Sequence, residues 1–400
     1  MKFERFILVS TGGITLLFLV LFGINQIHKY YGSLNNLNSQ LSKDKTLETD
    51  NIQIQEKESY PKTTEDKFYR SIQDTNALNR VFQEGGFSER MNSWNGKALF
   101  VKFSSVKSPH EFQYYDYKAL YQDINRNNIQ DESDQGFFNP ASTVKVSIAA
   151  LVLEKINTTG LTRDSEYRVA GSSDWFSIDD DIRRSLVVSD NDATNRLILW
   201  LGFDQINHDL KNKGLGHLVI NRLMLNQGTL IKSPPFEIRL GNKLIRQSSK
   251  SVSVRVACYE TVSQVGNCAT ASDLVEVLIR IVQPEYFPAD QNFTLNQSDR
   301  EWFQEVMSHT PRKEGFNYQD DYCRFLTKVE HKIASKSGRM LSKCGVALFS
   351  NTYVDSSFIE ADSGQKYYIV FSVTPPKGVS EKEIIQWMNT TVNFVLLRLP

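Results

Sequence analysis

An apolar run and a long polar stretch precede the first pattern of folded structure in this chain. Residues 6–24 carry no charged side chain and follow the basic residues Lys2 and Arg5. A helix of this length, rising about 1.5 Å per residue, crosses a bilayer core of roughly 30 Å. We therefore predict a membrane anchor over residues 1–27. A cleavable signal peptide is the alternative, although its apolar region is typically only about 7 to 15 residues long.

The charges beside this run also predict the topology of the chain. Basic residues before a first membrane segment keep the N-terminus in the cytoplasm, so the remainder is expected in the periplasm or at the cell exterior. Residues 28–65 are mostly polar and cannot bury enough apolar surface to fold alone. We interpret them as a tether and predict that the folded domain spans residues 66–400.

Periodicity in the folded part predicts strands at both ends and helices between them. This order favours an α+β fold in which N- and C-terminal strands share one antiparallel sheet with flanking helices. Helical spacing of apolar residues occurs over 68–82, 140–156, 181–201, 271–283 and 381–397, and strand-like runs occur over 98–103, 112–121, 346–353 and 366–373.

Composition and charge exclude one class of partner. The chain of 400 residues is 40% hydrophobic and contains 46 basic and 46 acidic residues. Because these charges balance, affinity based on nucleic-acid phosphates is not expected, and we predict no nucleic-acid partner. The oligomeric state is left open.

All four cysteines lie in the C-terminal half, and none has the Cys-x-x-Cys spacing of a zinc or redox site. In an oxidising compartment they can form two disulfides. Cys258 and Cys268 are close enough in sequence to close a short loop. A second bond is predicted between Cys323 and Cys344, for which free buried thiols are the alternative.

The segment Phe-Asn-Pro-Ala-Ser-Thr-Val-Lys at 138–145 is the main candidate for chemistry. Asn139 is a favourable N-cap and Pro140 a favourable first helical residue, and an apolar stripe follows them. Ser142 and Lys145 then share one helix face, near enough for the amine to take the hydroxyl proton. The N–H of Ser142, in the first turn, is free to donate to an oxyanion. Ser-x-x-Lys spacing also occurs elsewhere in the chain, so the spacing alone is weak evidence.

Two further motifs follow downstream. Ser189-Asp190-Asn191 precedes a helical pattern, where on its own it would most often be a helix cap or turn. Lys336-Ser337-Gly338 precedes the strand-like run at 346–353, where an exposed strand end is the simpler interpretation.

Together and in this order, the three motifs resemble those of the class A β-lactamase and penicillin-binding-protein family, over about residues 95–400. The resemblance implies an antiparallel sheet with flanking helices plus an all-helical subdomain. It also implies that Ser142 is acylated, that Lys145 is its base and that Ser189 relays a proton to the leaving nitrogen. It further implies substrate contacts by Asn191, Lys336, Ser337, Gly338 and Arg339. The N–H of Arg339 would be the second oxyanion donor.

One part of that family's pattern is missing. Class A β-lactamases use a glutamate in a Glu-x-x-Leu-Asn phrase to activate the water that hydrolyses the acyl-enzyme, and no such phrase follows the second motif. Residues 222–270 look instead like an enlarged insertion with a hairpin at Gly241. Its acids lack the expected context: Glu237 is interpreted as an exposed strand residue and Glu260 as a solvated loop residue.

One stretch of the chain has a pattern that is found in metal-binding loops. Residues 123–134 place oxygen-bearing side chains at alternate positions, as calcium loops do, but a polar hairpin turn explains the pattern more simply. We predict neither a metal nor a cofactor in the site.

The sequence therefore predicts a membrane-anchored serine hydrolase of β-lactamase type that acts on a β-lactam or a related amide. Two alternatives stay open. One is a penicillin-binding peptidase or transpeptidase that acts on peptidoglycan peptides, and the other is a non-catalytic sensor of cell-wall fragments or β-lactams.

Overall fold

The computed structural model describes residues 53–54, 70–104, 111–117, 136–225, 232–252, 254–255, 266–326 and 339–399. Its helices are α1 (Thr75–Glu84), α2 (Ser88–Ser93), α3 (Lys145–Thr159), α4 (Ile178–Val187), α5 (Asn191–Leu201), α6 (Phe203–Asn212), α7 (Ala271–Val282), α8 (Gln297–Ser308) and α9 (Glu381–Leu396). Short 3-10 turns cover Ala141–Val144, Pro284–Tyr286 and Ala289–Gln291.

The strands are β1 (Gln53–Ile54), β2 (Arg70–Gln73), β3 (Lys97–Ser104), β4 (Glu111–Asp116), β5 (Glu166–Val169), β6 (Phe176–Ser177), β7 (Phe236–Leu240), β8 (Lys243–Gln247), β9 (Val254–Arg255), β10 (Met340–Ala347), β11 (Thr352–Glu360) and β12 (Lys366–Val373). The predicted anchor at 1–27 and the stretch 123–134 lie outside the described residues. None of the helices in the described part is both long and apolar enough to cross a bilayer.

A six-stranded sheet in the order β10-β11-β12-β3-β4-β2 forms the frame of the domain. Neighbours from β10 to β4 are antiparallel, and β2 joins β4 in parallel. The central pairing of β12 with β3 joins the two ends of the folded sequence, for example at Ile369 and Phe100. This confirms the prediction that N- and C-terminal strands share one sheet, and it leaves β10 at the edge.

The two faces of this sheet pack against different helices. Alternate residues of a strand point to opposite faces, and in β3 Leu99 and Val101 belong to the core shared with the middle helices. Phe100 points the other way, into a second core that includes Trp387 of α9 and Leu78 of α1. The structure is thus an α+β fold with helices on both faces of an antiparallel sheet.

Helix α3 runs through the centre of the helical side. Every residue from 145 to 153 is buried, and the helix contacts α4, α5 and α7. A helix that is covered on all sides has no solvated stripe. Its first residue, Lys145, is therefore removed from water by the fold itself.

The predicted insertion contributes β7 and β8 to a second, four-stranded sheet in the order β6-β5-β7-β8, whose other two strands precede α4. Strands β7 and β8 pair antiparallel around Gly241, which has a φ of 57°, as the hairpin prediction required. Glu237 of β7 is buried and receives hydrogen bonds from Arg168 and Arg246. The interpretation of Glu237 as an exposed residue was wrong, because two arginines cover it.

Most elements match their predicted positions, including β3, β12, α7 and α9. Three predictions were wrong in detail. Within 68–82, residues Arg70–Gln73 form β2 and the helix begins only after Asp74, whose carboxylate caps it. The helix predicted over 181–201 is interrupted at residues 188–190. The strand predicted over 346–353 spans a turn, in which Asn351 has a φ of 52°.

Candidate active site

Ser142 lies in the 3-10 turn that precedes α3. The side chain of Asn139 accepts a hydrogen bond from the N–H of Ala141 at 3.0 Å, and Thr143 donates its hydroxyl to the Pro140 carbonyl at 2.7 Å. Ala141 has a φ of 49°, in the left-handed region that L-residues rarely adopt. Pro140 was predicted as the first helical residue, but the structure has a 3-10 turn from Ala141 and the α-helix begins only at Lys145, with a strained residue directly before the serine.

Lys145 is fully buried and directs its amine at the second motif. Its Nζ lies 2.6 Å from the Ser189 carbonyl oxygen, 3.2 Å from Ser189 Oγ and 2.8 Å from Asn191 Oδ1. Within the described residues, the hydrogen-bond partners of this amine belong to Ser189 and Asn191, and the Ser142 hydroxyl is not among them. The lysine and the second motif are thus joined across 44 residues of sequence.

Burial and a second lysine both favour the neutral form of Lys145. Its pKa lies well below the usual value, first because burial penalises the ammonium and then because Lys343 carries a like charge nearby. Asp190 and Asp192 act in the opposite direction, but they do not outweigh these effects. A neutral amine at this position is able to accept a proton.

The Ser189-Asp190-Asn191 motif forms the junction between α4 and α5. Ser189 has a φ of 56°, and Asp190 caps α5 by accepting the N–H groups of Asp192 and Ala193 at 2.8 and 3.1 Å. The cap and the left-handed serine interrupt the helix that the apolar pattern predicted. They also direct the side chains of Ser189 and Asn191 toward Lys145.

The strand lysine of the site is Lys343, on the edge strand β10. Its Nζ donates to Ser189 Oγ at 2.9 Å and to the Cys344 carbonyl at 2.9 Å. Lys343 is fully buried, and burial lowers the pKa of its amine to about 7. The Ser189 hydroxyl therefore lies between two lysines from different parts of the fold.

This geometry corrects the position predicted for the third motif. Lys336, Ser337 and Gly338 lie outside the described residues. Arg339, the fourth predicted residue, has a half-exposed side chain that lies 3.7 Å from Glu360 and over the ring of Phe358. The motif beside Ser189 is Lys343-Cys344-Gly345, seven residues further on.

Lys343-Cys344-Gly345 was not among the sequence candidates because its middle residue is a cysteine rather than a serine or threonine. A Lys-x-Gly phrase that leads into the apolar Val-Ala-Leu-Phe run was the available signal. In the structure, Gly345 shows how closely this strand approaches Ser142. A Cβ added there would lie 2.5 Å from the backbone nitrogen of Ser142 and 3.0 Å from the Pro140 carbonyl oxygen. Only glycine allows β10 to lie this close to the serine.

Cys344 is bonded to Cys323, which confirms the predicted disulfide at this edge of the site. Cys323 lies on a segment that the buried Asp355 holds by accepting the N–H of Phe325 at 3.1 Å. Lys343 also lies within 3.3 Å of the Cys323 sulfur. Cys268 is disulfide-bonded as well, while its predicted partner Cys258 lies outside the described residues.

No metal site emerges among the described residues, in which no group of three or more His, Cys, Asp or Glu side chains is placed to hold an ion. The site is built from a serine hydroxyl, two buried amines, a second hydroxyl and an amide. Such a set is suited to proton transfer and to nucleophilic attack on an acyl carbon.

Comparisons with known proteins agree with this architecture. The model of a family described as "Beta-lactamase enzyme family" matches residues 109–393, while no curated protein matches the chain. A structure of PBP-A is 14% identical, with a TM-score of 0.52 over 82% of this chain and 97% of its own.

Two β-lactamase structures are similar to the same extent. The chromosome-encoded β-lactamase of Vibrio parahaemolyticus is 13% identical, with a TM-score of 0.52 over 78% of this chain and 97% of its own. A β-lactamase from Sphaerobacter thermophilus DSM 20745 is 14% identical, with a TM-score of 0.51 over 82% and 99%. At these identities the likeness shows the fold.

The close approach of β10 to Ser142 predicts the effect of one methyl group. We expect Gly345→Ala to lower the rate of covalent modification of Ser142 by about 10²-fold, since displacement of a reacting group by about 1 Å costs this much. Gly171→Ala is the matched control, because a Cβ at Gly171 meets nothing within 4 Å although its φ is 86°. That control should lose stability without losing reactivity. Equal reactivity of both variants would contradict the close contact.

Proposed function

Since the chain belongs to the beta-lactamase enzyme family, whose model matches residues 109–393, we propose that it is a serine hydrolase acylated at Ser142 by β-lactams or related acyl amides. The observation that carries the proposal is the pair of hydrogen bonds that joins Lys145 and Lys343 through the Ser189 hydroxyl. In this arrangement Lys145 is the proton acceptor, Ser189 the proton relay and Lys343 the cation. Both amines are buried away from water.

In the proposed acylation, the Ser142 hydroxyl gives its proton to the neutral amine of Lys145 as its oxygen bonds to the acyl carbon. The carbon–nitrogen bond then breaks, and the leaving nitrogen takes the proton of the Ser189 hydroxyl. Lys145, now an ammonium at 3.2 Å, returns a proton to Ser189. A positioned base of this kind contributes about 10² to 10⁴ in rate.

Lys343 and the backbone of β10 are assigned the substrate contacts that the resemblance implied for Lys336 and its neighbours. The Lys343 ammonium attracts the substrate carboxylate, and Gly345 lets the strand approach. The N–H of Val346, the residue after this glycine, takes the role first assigned to Arg339. Together with the N–H of Ser142 it would stabilise the oxyanion, and removal of one such donor typically costs about 10²- to 10³-fold.

A second candidate function, slow release of the acyl group as in a penicillin-binding protein, is favoured by the loop at 221–225. Asn195, one turn along α5 from Asn191, fixes this loop by bonding both the N–H and the carbonyl of Met224 at 2.7 and 3.2 Å. The loop carries no carboxylate that could activate water to hydrolyse the acyl-enzyme, since its sequence is Asn-Arg-Leu-Met-Leu. Glu237 is held by arginines elsewhere.

We also propose that residues 1–27 anchor the chain in a membrane with the catalytic domain outside the cytoplasm. The uncharged run at 6–24 and the disulfide between Cys323 and Cys344 support this location.

Acylation is tested by incubating the full chain with a fluorescent penicillin and following the adduct by mass spectrometry. We expect one adduct, lost in Ser142→Ala, retained in the exposed-serine control Ser173→Ala, and formed about 10² to 10⁴ times more slowly in Lys145→Ala. An adduct that persists for many turnover times of a β-lactamase supports the penicillin-binding alternative, and rapid release of hydrolysed drug supports the lactamase. Absence of both an adduct and hydrolysed drug would exclude both.

The two amines predict a bell-shaped dependence of acylation on pH. Reactivity should rise with pH as Lys145 loses its proton, because the neutral amine is the base. It should then fall above about 7, where Lys343 loses the charge that attracts the carboxylate. Lys343→Arg should move the alkaline limb upward, since a guanidinium stays charged. An uncharged β-lactam ester should show no alkaline limb; if it does, Lys343 is not the group responsible.

The location is tested by fractionating two kinds of cells. One produces the full chain, and the other produces residues 66–400 behind a cleavable secretion signal. The full chain should sediment with membranes and keep its N-terminus, and the shorter chain should be released. Release of both forms would show that residues 1–27 are removed.

A further inference from the structure

A pair of exposed tyrosines lies on the segment that the disulfide attaches to β10. The rings of Tyr318 and Tyr322 have centroids 4.6 Å apart and are tilted by 36°. They are 45% and 43% exposed, so both rings are accessible from solvent. Exposed aromatic side chains that are fixed relative to each other often mark a binding surface.

The backbone holds this pair in place. The N–H of Tyr318 bonds the Phe316 carbonyl at 2.9 Å, and the N–H of Tyr322 bonds the Gln319 carbonyl at 3.0 Å. Arg184 of α4 lies over the ring of Phe316. The turns that carry both tyrosines are therefore tied to the helix that leads into Ser189.

Covalent and polar contacts connect the pair to the Lys343 end of the site. Tyr322 directly precedes Cys323, which is bonded to Cys344 and whose sulfur lies 3.3 Å from the Lys343 amine. Asp355 fixes the following residues through the N–H of Phe325. Tyr322 is thus one residue from the disulfide at the Lys343 end of the site, and its phenol is influenced by Asp190 of the second motif.

Acidic groups act on the tyrosine pair, although one of them, Asp320, is also paired with Arg312 at 3.9 Å. Partial burial raises the pKa of the Tyr322 phenol, and Tyr318, Glu381 and Asp190 raise it further. Asp320 and Asp321, both exposed, lie between the two tyrosines in sequence. The guanidinium of Arg324 points away, to the carbonyl groups of Met307 and His309.

Aromatic faces beside carboxylates are suited to a cation, which is attracted by the ring quadrupole and by the charges together. We propose that Tyr318 and Tyr322 form a subsite that binds a positively charged substituent on the carboxylate-bearing end of the acyl substrate. This inference rests on the proposed function, because it assigns specificity to the same serine.

Two cephalosporins with the same thienylacetyl side chain provide a matched pair of probes. One carries a pyridinium group and the other a neutral acetoxy group on the methylene next to the ring carboxylate. The measured quantity is the ratio of their second-order acylation constants at Ser142 in the full chain. The expected ratio in the unaltered protein favours the pyridinium compound.

Substitutions test whether the rings cause this preference. Tyr322→Ala and Tyr318→Ala should each lower the ratio about two- to five-fold, as expected for loss of one exposed cation–π contact, while Tyr322→Phe should retain it. Leu244→Ala is the control, because Leu244 is 48% exposed on the distant strand β8. Added salt should weaken the preference by screening the acids.

The outcomes separate this inference from the proposed function. Acylation by both compounds at an unchanged ratio in the tyrosine variants overturns the subsite and leaves the proposed function standing. A ratio that falls equally in Leu244→Ala also overturns it. If neither compound acylates Ser142, the proposed function itself is wrong.

Discussion

Lys145 and Lys343 meet at the Ser189 hydroxyl, the first from a buried helix and the second from an edge strand. Two like charges in a site that excludes water repel strongly, because little solvent screens them. The site therefore favours a state in which an amine is neutral, and the proposed mechanism takes Lys145, whose pKa is lowered by burial and by the like charge of Lys343, as that amine. The chemistry assigned to Ser142 depends on this neutral amine.

The fold stabilises the pair through elements that are far apart in sequence. Helix α3 places Lys145 inside the helical layer, and the left-handed backbone of Ser189 directs both its hydroxyl and its carbonyl at the amine. The three hydrogen bonds of Lys145 offset part of the cost of burying an amine without a carboxylate partner. Strained residues at Ala141 and Ser189 are thus retained at the points where they position the reacting groups.

The edge strand β10 is stabilised by a disulfide and by a buried carboxylate. An edge strand has neighbours on one side only, and β10 gains a second attachment through the disulfide from Cys344 to Cys323. The buried carboxylate of Asp355 holds the same segment through backbone N–H groups, and its pKa is raised to about 6 by burial. The proposed substrate contacts and the stability of this edge therefore involve the same few residues.

Local features of the sequence determined the position of Ser142, Lys145 and the second motif. A capped helix start, helical spacing and a helix-capping aspartate are properties of neighbouring residues, and they hold wherever the segment lies. Lys343 could not be identified in this way. Its position in the site depends on the approach of β10 to the 3-10 turn, and the motif was hidden because Cys344 stands where a serine or threonine was expected. The sequence thus determined which serine and lysine are proposed as nucleophile and base, and only the tertiary structure decided which second lysine and which glycine lie beside them.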